Sequence, residues 1–228
     1  IDSEKKIDRL KIDKLLKTIY SNNTTEEINF ISNQLLQILD DFSEKSAYEE
    51  ISNKERWNES HSVLITYADS IYKKGEATLI TLRDLLSNYF GSLSKVVHIL
   101  PFLKSTSDGG FAVSSYETLE EKFGGWNDLK SISKNHDLMA DLVLNHVSSS
   151  HPWVQEFIKS QEPGISNVFS PDQNLDWSNV VRPRSSSLFS QINTEDGSKQ
   201  VWTTFGPDQI DLNWHNPKMN IEFLNLII

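Results

Sequence analysis

With 228 residues, 37% of them hydrophobic and 10% aromatic, the chain has material for one large domain or two small ones, and a charged fraction of 24% argues against wholesale disorder. A net charge of -10 excludes the basic footprint of a nucleic-acid binder. The lack of cysteine excludes a disulfide framework and a thiolate metal site, and no apolar stretch approaches the roughly 20 residues needed to span a bilayer.

The first residues, Ile1 to Lys6, lack the apolar core of a signal peptide, so a cytoplasmic protein is expected. Residues 1–60 read as a helical N-terminal extension. Leu10, Ile12, Leu15, Leu16 and Ile19 recur at helical spacing. Ser21 to Thr25 forms a turn and N-cap, with Glu26 and Glu27 in the first turn of the next helix. That helix carries Ile28, Ile31, Leu35, Leu36 and Leu39.

The pattern changes at Ser62. Val63 to Tyr67 reads as a strand, Leu79 to Phe90 as a helix capped at Thr78 or Thr81, and Lys95 to Pro101 as a second strand. Leu119 to Lys134 is helical in part, broken by Gly124-Gly125, and Leu138 to Leu144 reads as a third, buried strand. Strands alternating with helices predict a parallel sheet with right-handed crossovers. Residues 147–210 then carry Pro152, Pro163, Pro171, Pro183 and Pro207 and far exceed a βα loop of about 2–6 residues, so an insertion is expected there. Pro217 to Ile228 resumes a helical pattern.

The third strand ends in Asp141-Leu142-Val143-Leu144-Asn145-His146, and polar groups at the C-terminal end of a parallel strand are where a (β/α)₈ barrel keeps its chemistry. Asp-x-x-x-Asn-His closing a strand resembles the third-strand motif of the α-amylase superfamily, glycoside hydrolase family 13. The resemblance implies an α/β fold in which residues 61–228 are the front of a TIM barrel. About three strands and the domain B insertion at 147–210 would be present, with truncation before the fourth strand. In that family the counterpart of His146 hydrogen-bonds the sugar in the subsite of cleavage. Asp141 and Asn145 are read as structural hydrogen bonders. In calcium-binding relatives the Asn supplies one ligand, but a lone Asn cannot build a site of about 6–8 oxygens, so no metal is expected.

Asp108-Gly109-Gly110 is ordinary turn chemistry taken alone. Within Ile99 to Phe111 it resembles the sucrose phosphorylases and glucosylglycerate phosphorylases. That likeness implies sugar binding by Asp108 and an apolar wall from Phe111. Arg182-Pro183-Arg184 reads either as a solvated basic loop or, by the same resemblance, as the acceptor and phosphate side of the pocket, with Arg184 the main phosphate residue. Phe205 to Trp214 resembles the segment that closes domain B. There Asp211 and Asn213 are structural signposts, while Asp208 and Gln209 either touch the acceptor or serve loop geometry. Val201 to Phe205 reads as a strand rather than a sugar platform, and His151 as a loop residue without an assigned role.

Retaining glycoside chemistry needs two carboxyl groups about 5–5.5 Å apart. In the resembled family they follow the fourth and fifth strands, the nucleophile within Arg-x-Asp. That tripeptide occurs nowhere in the 228 residues, and beyond Asn213 the only carboxylate side chain is Glu222. The expectation is therefore an inactive N-terminal fragment of an α-glucoside phosphorylase. Its substrates would be sucrose or glucosylglycerate with inorganic phosphate as co-substrate, and it would use no cofactor, nucleic acid or membrane. A family hydrolase or transglucosidase, or a non-catalytic sugar-binding remnant, are the alternatives.

Overall fold

The computed structural model describes residues 9–45, 61–91, 93–172, 174–181 and 184–228. The first residues, the end of the helical extension, and Arg182 and Pro183 lie outside them. The chain forms two compact units, one built from the N-terminal helices and residues 213–228, the other running through to residue 212.

In the first unit, α1 (Arg9–Ile19) and α2 (Thr25–Lys45) follow the expected apolar spacing. Their boundary is a reciprocal cap. Glu27 N donates to Thr24 Oγ1 at 3.2 Å, and Thr24 N donates to Glu27 Oε2 at 2.9 Å. Leu16, Tyr20, Ile28 and Ile31 are buried together, and Ile221 of the C-terminal helix Met219–Ile227 packs against them. Asn220 Nδ2 donates to the Tyr20 hydroxyl at 2.7 Å. By compactness the tail therefore groups with these helices, whereas the sequence division at about residue 60 put it with the barrel segment.

The second unit opens with β1 (Val63–Thr66), α3 (Thr78–Leu85) and β2 (Val96–Ile99). A hairpin of β3 (Leu103–Ser105) and β4 (Val113–Leu119) follows, then α4 (Trp126–Ile132) and β5 (Asp137–Ala140). Strands β1, β2 and β5 form a parallel sheet in that order, with Val63 beside Val96 and Val96 beside Asp137. On one face Val97 and Ile99 are buried with Leu79, Leu82, Leu129 and Ile132 of the helices, as period-2 alternation requires. Beyond β5 come β6 (His146–Ser148), α5 (Pro152–Ile158), α6 (Gly164–Asn167), a hairpin of β7 (Phe189–Thr194) and β8 (Gly197–Trp202), and β9 (Gln209–Asp211). Strand β9 returns antiparallel to β6, setting His146 opposite Asp211 and Ser148 opposite Gln209.

Three expectations need correcting. The third strand stops at Ala140 rather than Leu144, and all its residues are exposed, as are Leu142 and Leu144. The reason is topological: among the described residues β5 pairs only with β2, so it is an edge strand, not a buried one. Helix α3 has Ala77 at its N-cap, which carries no polar side-chain atom, so neither Thr78, already the first helical residue, nor Thr81, whose hydroxyl donates to Glu76, caps it; its last turn, Leu86–Phe90, widens to π geometry. The β3–β4 hairpin occupies residues read as loop. It is short and its register shifts twice, which leaves little alternation to detect. Of the barrel itself, the structure holds an open three-stranded sheet. No helix among the described residues is long and apolar enough to cross a membrane.

Candidate functional site

Strand β2 leads through Pro101 into the β3–β4 hairpin, and the hairpin's connection presents Asp108. The backbone is left-handed at three successive residues, with φ of 55° at Asp108, 62° at Gly109 and 107° at Gly110. A Cβ at Gly110 would come within 2.3 Å of the Pro101 carbonyl oxygen, so only glycine fits there. Aspartate is among the few side chains that tolerate this region. The turn closes with Phe111 N donating to Asp108 O at 3.1 Å and Thr106 N donating to Ala112 O at 3.0 Å.

The pairing of β6 with β9 brings two further groups to Asp108. Gln209 Nε2 donates to Asp108 Oδ2 at 2.8 Å and lies 3.2 Å from His146 Nε2. His146 Nε2 is in turn 3.1 Å from the Phe111 carbonyl oxygen. A carbonyl oxygen can only accept and an amide NH₂ can only donate, so the ring nitrogen cannot satisfy both. A proton on Nε2 meets Phe111 and leaves the Gln209 amide to make its charge-assisted bond with Asp108, the stronger kind. Nδ1, buried and without a hydrogen-bond partner, is then a bare acceptor rather than an orphaned donor. Burial lowers the pKa of His146, partly offset by the Phe111 carbonyl and the Asp108 charge, so the ring is neutral at pH 7.

Phe205 continues the cluster. Its ring centroid is 4.9 Å from that of His146, and the Arg184 guanidinium sits over its face at 5.8 Å. Arg184 thus reaches the site through an aromatic ring. Asp108 also borders an open cleft of about 430 Å³ shared with Tyr67, Asp69, Lys122 and Phe123.

The other residues singled out from sequence lie as follows. Asp141 Oδ2 is 3.0 Å from Nε2 of His98 on β2. The Asn145 carbonyl accepts from Leu212 N at 2.9 Å. Buried Asp211 accepts from the backbone N–H and hydroxyl of Thr204. Asn213 Oδ1 accepts from His215 N at 3.2 Å. Phe111 is half-buried and meets His146 through its carbonyl. His151 is buried and caps α5, its Nδ1 accepting from Trp153 N at 3.2 Å, and burial pushes its pKa down to about 4. Phe205 escaped the sequence reading because it was counted with the strand that ends at Trp202. Its place just before the Gln-x-Asp-Leu-Asn segment was the available signal. Among the described residues no three His, Asp or Glu side chains gather as a metal site would need.

Residues 88–228 match the model of the α-amylase catalytic domain. The chain belongs to that family. Within it, the chain falls in the sucrose and glucosylglycerate phosphorylase branch. It is 41% identical over 172 residues to a glucosylglycerate phosphorylase of Allomeiothermus silvanus, an alignment covering 75% of this chain and 31% of the relative. It is 32% identical over 163 residues to a sucrose phosphorylase of Streptococcus mutans, covering 67% and 33% respectively. The crystal structure of sucrose 6F-phosphate phosphorylase from Thermoanaerobacter thermosaccharolyticum superposes with a TM-score of 0.64 at 34% identity, over 72% of this chain and 36% of that one. The chain thus spans about a third of the length of the relatives it matches.

Proposed function

We propose that these residues form the glucosyl-binding front of an α-glucoside phosphorylase. That enzyme would transfer glucose from glucosylglycerate or sucrose to phosphate by retaining double displacement. The observation that carries the reading is the junction of Asp108, Gln209 and His146, drawn from separate loops and strands onto one point. Asp108 is exposed, and a carboxylate with one oxygen anchored by Gln209 keeps acceptor capacity for sugar hydroxyls. His146 stays neutral, and a sugar hydroxyl reaches its Nε2 by taking the place of the Phe111 carbonyl, since Nδ1 is buried. Phe111 supplies the wall beside the ring. Asp141 pairs with the His98 side chain and Asp211 and Asn213 hold backbone N–H groups, so with Asn145 they serve the fold rather than the sugar.

Arg184 favours phosphorolysis over hydrolysis. A guanidinium fork matches a phosphate oxygen pair, and water needs no such partner. Its seat over Phe205, which also meets the His146 ring, supports a place on the acceptor side of the glucosyl group. The 228 residues contain no Arg-x-Asp, so on this reading they turn over nothing by themselves, and the nucleophile and acid/base carboxyls must come from a longer chain. The absence of cysteine suits a cytosolic enzyme.

The test is turnover by the protein expressed from the whole open reading frame that contains these residues. Glucosylglycerate and sucrose are supplied with and without inorganic phosphate. Phosphate-dependent release of α-glucose 1-phosphate is expected. Free glucose released at the same rate without phosphate would make it a hydrolase of the same family.

A further inference from the structure

Asp208, next to Gln209, is not explained by the sugar site, and its surroundings assign it a task. Its Oδ2 accepts from Thr106 Oγ1 and Ser107 Oγ, each at 2.6 Å. Its Oδ1 accepts from the backbone N–H of Ser149 at 3.2 Å and from the Ser149 hydroxyl. The hydroxyl protons can be followed. Ser150 N donates to Ser148 Oγ at 3.0 Å, and Ser148 lies 2.6 Å from Thr106 Oγ1. Thr106 spends its one proton on Asp208, so the Ser148 hydroxyl donates either to Thr106 or, at 3.5 Å, to Asp208 Oδ1. Every donor in this chain therefore points toward the carboxylate.

A carboxylate offers about four acceptor positions. Here two close donors fill each oxygen, and the Ser148 hydroxyl stands 3.5 Å from Oδ1, so no position is left for a substrate hydroxyl. Direct contact with the acceptor, one of the two alternatives for this residue, has no free lone pair to use. Burial alone would raise the pKa of this carboxyl. The hydrogen bonds from Ser107, Ser149 and Thr106 outweigh it and hold Asp208 below the ordinary aspartate value.

We propose that Asp208 is a positioning residue. Its carboxylate fastens the 106–107 segment, which leads into Asp108, to the 148–149 segment, which follows His146, and so fixes Gln209 between Asp108 and His146. The inference rests on the glucosyl-site reading above and deepens it: the geometry of sugar recognition is set from behind by a group that never touches sugar. The geometry requires an ionised group. An asparagine in its place keeps one acceptor oxygen and turns an NH₂ toward two donors.

The experiment is glucose binding by calorimetry on the protein from the whole reading frame, as a double-mutant cycle of Asp208→Asn with Gln209→Ala. Hydrogen bonds to a charged group are worth roughly 1.5–3 kcal/mol, so Asp208→Asn should weaken glucose binding at least tenfold. In the Gln209→Ala background the same change should cost no more than about twofold, because neighbours acting through one another are not additive. A group that only supports the fold would lower the melting temperature and give equal losses in both backgrounds. Equal losses, or unchanged affinity in Asp208→Asn, overturn the inference. If Asp208→Asn does not fold, Ser107→Ala removes one of the four close donors and leaves the charge. A loss of about threefold or more then supports the positioning role, and unchanged affinity overturns it. If the unaltered protein binds no glucose, the glucosyl-site reading itself falls and takes this inference with it.

Discussion

Gln209→Glu is the sharpest perturbation of the site because it changes charge and almost nothing else. The amide nitrogen of Gln209 lies 2.8 Å from Asp108 Oδ2. Replacing it with a carboxylate oxygen puts two negative charges at that distance. Coulomb's law gives a repulsion of about 1.5 kcal/mol in bulk water and about 6 kcal/mol at an effective dielectric of 20. Asp108 is exposed and Gln209 buried, so the cost lies between those limits, and the lost charge-assisted hydrogen bond adds to it. The repulsion burdens the free and the glucose-bound protein alike, so it acts on affinity by pushing the Asp108 carboxylate out of place, and glucose affinity at pH 7 should fall about tenfold or more. The pair can relieve the repulsion by sharing a proton, so much of the loss should be recovered near pH 4.5. Calorimetric titration of the variant and the unaltered protein with glucose at both pH values reads this directly, the unaltered protein correcting for acid effects elsewhere. Affinity within a factor of two at pH 7 would refute the reasoning, and so would a loss that does not shrink on acidification.

His151 tests the packing behind the site. Its pKa lies at about 4 in the folded chain against 6.5 when free, so its stabilisation is complete above 6.5 and is lost as pH falls from 6.5 toward 4. That gap corresponds to about 3 kcal/mol. His151→Asn keeps an acceptor for Trp153 N and removes the titration, so the fall in melting temperature between pH 7 and pH 4.5 should shrink, and an unchanged fall would contradict the assignment. Arg184→Ala should raise the apparent KM for phosphate while hydrolysis of the glucosyl-enzyme persists. Equal losses in both reactions would make the arginine structural. The 228 residues expressed alone leave Val63, Ile65, Leu138, Met139, Leu142 and Leu144 exposed. They should bind a hydrophobic dye and self-associate, and a monomer with a cooperative calorimetric transition would count against this.

What was legible in the sequence follows from how local each signal is. The two N-terminal helices could be placed because apolar spacing and the Thr24–Glu27 cap act within a few residues. The parallel strands β1 and β2 were visible as short apolar runs. The third strand was drawn too long because Leu142 and Leu144 are as apolar in a loop as in a strand, and sequence does not say where a sheet ends. The site was legible only in pieces. Asp108 and His146 came from motif resemblance, but the bond from Gln209 to Asp108 spans 101 residues and depends on the register of β6 against β9. The seat of Arg184 over Phe205 depends likewise on how the insertion folds back. No local pattern encodes either.

The most direct test of the central claim is a crystal structure of the complete protein soaked with glucose. The glucosyl-site reading places sugar hydroxyls within hydrogen-bonding distance of Asp108 and His146, beside Phe111, with Gln209 still joined to Asp108. Glucose bound instead in the cleft of Tyr67 and Lys122, with Asp108 and His146 free of it, would contradict the account.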